Sequence, residues 1–153
     1  MTQENPGVGQ IWLVRPGDGP DLYVLIIEVH DAHVQVLLCG EECCSATETD
    51  SVLGASATGL PERLLIHGDV SAPLLTGRLS EPVAQIAPEL VQRIVLRGRG
   101  LDFNSTDLGR GAAIISEGDP RWEWKLEKHK QLRRLRARAS ELGWQMYQLG
   151  PAD

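Results

Sequence analysis

The sequence predicts a mainly β protein with α: a small barrel followed by a long C-terminal amphipathic helix. Three observations predict it. First, three β-type runs open the chain at residues 9–14, 22–29 and 32–39, and one connection between them is only His30-Asp31. Closely spaced antiparallel strands of this kind curl into a small barrel that buries one face on itself. Second, turn signals as dense as Pro16-Gly17-Asp18-Gly19-Pro20 separate the runs. Third, from Asp119 onward apolar or half-apolar residues recur at steps of three and four, which is helical spacing.

Residues 1–8 read as a flexible tail. Residues 10–15 form the first strand and hairpin with 22–29, which is apolar at nearly every position. Such a run suits a strand buried on both sides or bent across a barrel. Residues 41–59 are polar, small and turn-rich, with a short strand at Val52-Leu53; a long irregular stretch on a rigid scaffold is a candidate substrate rim or a plain surface loop. A strand follows at 63–67, breaks at Gly68-Asp69 and resumes over 70–75. Pro82 makes 79–86 an edge strand or a bend. Residues 88–96 form a short helix, with Pro88 in its first turn and a stop at Gly98. The barrel with its closing helix therefore spans 9–98. Residues 99–118 are a linker in which 112–115 adds one possible strand. Asp119 as N-cap and Pro120 at N1 start a basic amphipathic helix over 119–149. Its inward stripe is read as Trp122, Leu126, Leu132, Leu135 and Leu142, with Arg134 and Arg138 outward.

Length and charge narrow the function classes. A chain of 153 residues supports one domain with an appendage and a core that needs no staples. Aromatic content is low, so Trp12, Trp122, Trp124 and Trp144 are the main large anchors. No apolar run reaches bilayer length and the N-terminus does not read as a signal peptide, so the expectation is a cytoplasmic protein without membrane contact. Net charge is −6 but unevenly spread: residues 121–138 hold eight basic and two acidic side chains, net +6, and the remainder carries −12. That asymmetry points to a polar partner for the basic segment: RNA, an acidic protein or the acidic barrel itself. Cys39, Cys43 and Cys44 do not meet the His residues in a zinc-ligand spacing, and no metal or cofactor is expected.

Several of these pieces, in this order, resemble the MazF/PemK toxin superfamily. Gly9-Gln10-Ile11-Trp12-Leu13-Val14 is similar to that family's opening strand and residues 22–28 to its second. Thr58-Gly59-Leu60-Pro61, and residues 79–86 ahead of a short helix, continue the likeness over residues 9–96. The resemblance implies an SH3-like barrel, a homodimer, metal-independent cleavage of single-stranded RNA and neutralisation by an antitoxin. Where nuclease members begin the second strand with Arg-Pro, this chain reads Leu22-Tyr23, so the family's charged residue is not carried over. The family's Thr or Ser after the third strand corresponds to a region that offers Cys39, Ser45, Thr47 and Thr49.

RNA transesterification needs a base, an acid and positive charge on the phosphate. The candidate catalytic residues are Arg15, at a strand end beside a Gly-rich tip, His67 with its neighbour Asp69, and the hydroxyls of Thr47 and Thr49. The candidate RNA-binding residues are Lys125, Arg133, Arg134, Arg136 and Arg138, interleaved with Trp122 and Trp124. The expected partners are single-stranded RNA or an antitoxin-like protein. The alternative is a non-catalytic protein-protein interaction module on the same barrel.

Overall fold

The computed structural model describes residues 5–16, 20–101 and 118–136. It places six strands and three α-helices in the order β1 (Gln10–Val14), β2 (Leu22–Val29), β3 (His33–Gly40), β4 (Ser51–Leu53), α1 (Ala55–Thr58), β5 (Leu64–Leu75), β6 (Leu79–Gln85), α2 (Pro88–Gly98) and α3 (Pro120–Leu135). The strands form one antiparallel sheet ordered β4-β5-β3-β2-β1-β6. The expected class, a β-rich domain with a C-terminal helix, is the observed one.

The sheet is buried on both faces, which accounts for the uninterrupted apolar run of β2. Leu22, Val24 and Ile26 join one cluster with Val34, Val36, Leu38, Val70 and Leu74, closed by Leu132 and Leu135 of α3. Leu25 faces the other way, into a cluster with Ile11, Leu37, Ile66 and Ile86, closed by Val91 and Ile94 of α2. Alternation along a strand is period two, so neighbours in sequence necessarily serve opposite layers. Pro82 lies in β6, an edge strand of the sheet, where its missing N–H breaks no inner ladder.

The break read at Gly68-Asp69 is a bulge inside one continuous strand. Pairing steps from Cys39↔Ile66 to Leu37↔Ser71, five positions along β5 against two along β3. Extra residues of this kind re-aim side chains and bend the strand. Here the extra residues include His67, Gly68 and Asp69. The bulge is fixed from behind by glycine. A Cβ built on Gly68 would lie 2.2 Å from the Thr49 carbonyl oxygen and 2.8 Å from the Gly98 Cα, and one on Gly98 would lie 2.2 Å from the Gly68 carbonyl oxygen. No side chain fits at either position without moving backbone.

α3 begins as the sequence predicts. The Asp119 carboxylate accepts from the Arg121 backbone N–H at 3.0 Å, and Pro120 occupies the first turn. Its inward stripe differs from the expected one. Lys125, Leu132 and Leu135 are buried, whereas Trp122 is 50% and Leu126 47% exposed. The N-terminal half of α3 meets the protein through Arg121 and Lys125 and the C-terminal half through Leu132 and Leu135. Of the four tryptophans, Trp12 is a core residue, Trp122 is exposed, Trp124 is half-buried, and Trp144 lies outside the described residues. Leu142, Arg138, residues 137–149 of the expected helix and the strand considered at 112–115 also lie outside them. No described helix is long and apolar enough to cross a membrane.

Candidate functional site: a buried ion cluster and the cleft beside it

Asp50, His67 and Lys125 meet where the 41–59 stretch, the β5 bulge and α3 converge. Asp50 and His67 are fully buried and Lys125 is 7% exposed. The Lys125 ammonium donates to Asp50 Oδ1 and to Asp69 Oδ1 at 2.6 Å, and lies 3.0 Å from His67 Nδ1. His67 Nδ1 is also 3.6 Å from Asp50 Oδ2, so the cluster meets this ring nitrogen and not Nε2. That Nε2 is buried without a hydrogen-bond partner among the described residues.

Local sequence builds the acidic end of the cluster. Asp50 Oδ2 accepts from the Thr47 backbone N–H at 2.9 Å and from Thr47 Oγ1 at 3.2 Å, while the Asp50 N–H donates to the Thr47 carbonyl at 3.1 Å. Aspartate three residues after threonine ties this turn to itself. Burial opposes ionisation of Asp50. Hydrogen bonding to His67 and the positive charge of Lys125 outweigh it, and hold the carboxyl below its ordinary range. At the start of α3, Arg121 reaches the Ala46 carbonyl at 2.8 Å and its own N-cap Asp119 at 2.6 Å; with Lys125 on Asp50, α3 holds the loop at two points.

Next to the cluster lies a cleft of about 320 Å³ lined by Thr47, Glu48, Thr49, Asp69, Trp122, Lys125, Leu126 and His129. Burial lowers the His129 pKa, with Asp69 opposing that effect and Lys125 adding to it, so the imidazole is neutral at neutral pH.

The structure thus brings together four sequence candidates, Thr47, Thr49, His67 and Lys125, and separates Arg15 from them. Arg15 follows β1 and is exposed, 3.5 Å from Glu81 and 3.9 Å from Asp21, and β1 is separated from β5 by β2 and β3. His67, expected at a turn with Asp69 as its orienting partner, is a core residue whose partners are Lys125 and, at 3.6 Å, Asp50. Lys125, grouped with the RNA-binding cations, is turned inward and fully paired. Arg133, Arg134 and Arg136 are exposed. Asp50, Glu48 and His129 are not singled out by the sequence; the Thr47-to-Asp50 spacing is the signal available for Asp50. Among the described residues no group of three or more His, Cys, Asp or Glu is placed to hold a metal ion. Cys39 is a buried free thiol, and burial pushes its pKa up.

No family model and no curated protein matches the sequence. The fold is shared with a solved structure of an endoribonuclease in complex with its cognate antitoxin, from a mycobacterial species. The two chains are 18% identical with a TM-score of 0.52, and the match covers 65% of this chain and 100% of that one. At this identity the likeness is one of fold.

Proposed function

We propose that this chain is a toxin-related RNA-binding protein of a toxin–antitoxin type system, and that it contacts RNA through the C-terminal half of α3. The observation that carries the proposal is the exposure of Lys130, Arg133, Arg134 and Arg136 along a chain that is otherwise acidic. Clustered cations release counterions from a phosphate backbone, and that release drives association without sequence preference. The shared fold supports the setting, since the match spans the whole of the endoribonuclease chain.

Binding is proposed without strand cleavage at the buried cluster. Its one ammonium is paired with two carboxylates, Asp50 and Asp69. Transesterification needs unmatched positive charge where the phosphorane forms. The proposal retains the homodimer expected from the sequence, which light scattering checks.

The test is a salt titration of binding to an unstructured single-stranded RNA. Arg133→Glu with Arg134→Glu is expected to weaken binding and to reduce the salt slope by about 0.7 for each phosphate no longer neutralised. Unchanged affinity and slope would overturn the RNA assignment. In EDTA, stoichiometric protein is expected to leave the RNA intact; metal-free cutting would return catalysis to the protein.

A further inference from the structure

The cleft beside the cluster has a chemistry opposite to that of the RNA-binding stretch. Among the residues that line this cleft of about 320 Å³, Glu48 and Asp69 contribute two negative charges and Lys125 one positive, a formal balance of −1, and the Lys125 charge is itself paired with Asp50 behind it. A phosphate is repelled there. The wall is equally specific: Trp122 and Leu126 stand one helical turn apart on α3, each about half exposed, although both are large and apolar. Exposed apolar side chains beside carboxylates suit a ligand that is both cationic and aliphatic. A guanidinium or ammonium stacks on an indole face, its methylene stem covers a leucine, and its charge meets a carboxylate. Glu48 is exposed, and among the described residues no hydrogen bond or ion pair engages its carboxylate.

We propose that this cleft is the docking site for a basic, aliphatic segment of a partner protein, which inserts an arginine or lysine side chain between Trp122 and Glu48 with an apolar neighbour on Leu126. Charge complementarity selects polypeptide over RNA as the occupant. The site uses none of Lys130, Arg133, Arg134 and Arg136, so the two proposals stand or fall separately.

The experiment follows the indole N–H signals of the ¹⁵N-labelled full chain, with Trp122 assigned through Trp122→Phe. The probes are acetyl-Leu-Arg-Leu-Arg-Leu-amide, its citrulline counterpart, its glutamate counterpart and a short oligouridylate. The arginine peptide is expected to shift the Trp122 signal saturably, and the other three are not. Glu48→Gln, at an exposed position, is expected to weaken the arginine peptide by about three- to five-fold with the spectrum otherwise intact. Equal binding of the citrulline peptide would show that charge is not read. A larger Trp122 shift with oligouridylate or with the glutamate peptide, an unchanged affinity in Glu48→Gln, or no shift with any probe at millimolar concentration would each overturn the proposal.

Discussion

α2 and α3 cover opposite faces of one sheet by different physics. α2 docks through Val91 and Ile94 against Ile11, Leu25, Leu37 and Ile66, an apolar interface over its first turns, with Arg97 buried near its C-terminal end. α3 docks through Leu132 and Leu135 at one end and through the Lys125 cluster at the other. Apolar burial is non-directional and carries no charge for salt to screen or acid to titrate. A buried ion cluster is directional, because desolvating its charges costs several kcal/mol per ion and only correct geometry offsets that. The first turns of α2 are therefore held by area, whereas the N-terminal half of α3 is held by position. Position is what a cleft-forming helix requires.

The sharpest way to break this comparison is Lys125→Met, which keeps the stem and removes the charge. It leaves Asp50 buried and unpaired, and should cost about 3–5 kcal/mol in urea unfolding. A cost below about 1 kcal/mol would show that the cluster does not hold α3. On the other face, Ile94→Ala should cost about 2–5 kcal/mol through reduced burial and the cavity left behind. That cost should be the same at low and high salt and across mildly acidic pH. A salt-dependent cost would erase the distinction between the helices.

Acid sharpens it further. Asp50 is held below its ordinary value in the folded protein, so its contribution is complete above the unfolded carboxylate pKa of about 3.9 and is lost as pH falls through the lower folded value. The Trp122 and Trp124 environments should therefore change below pH ~4 before signals from the α2 face do. Simultaneous change on both faces would mean that the sheet and both helices open as one unit. The smallest effect belongs to Arg134→Glu, at an exposed position of α3, which should move stability by no more than about 0.5 kcal/mol.

The β framework was legible because strand periodicity and turn residues are local. β2 announced burial on both faces, Pro82 announced an edge, and Asp119-Pro120 announced the start of α3. The inward face of α3 was not legible, because apolar spacing marks only its leucines and the face is built from Arg121 and Lys125 as much as from leucine. A lysine is expected at the surface unless its partners are known, and Asp50 and Asp69 lie 75 and 56 residues away. For the same reason His67 read as a turn residue: only pairing with β3 shows that the turn is a bulge. Thr47 and Thr49 were placed near the site by resemblance, yet the hydrogen bond that fixes Thr47 is with Asp50, three residues on.

The back-to-back approach of Gly68 and Gly98 gives the molecule a blind spot that mutational scanning should reveal. Gly98 ends the helix on the far side of the sheet and lines neither the cleft nor the cluster. A methyl group there must push the Gly68 carbonyl, and the same displacement carries His67 and Asp69 with it. A scan scored by partner binding would flag Gly98 among the most sensitive positions, while a map of interface residues would leave it blank.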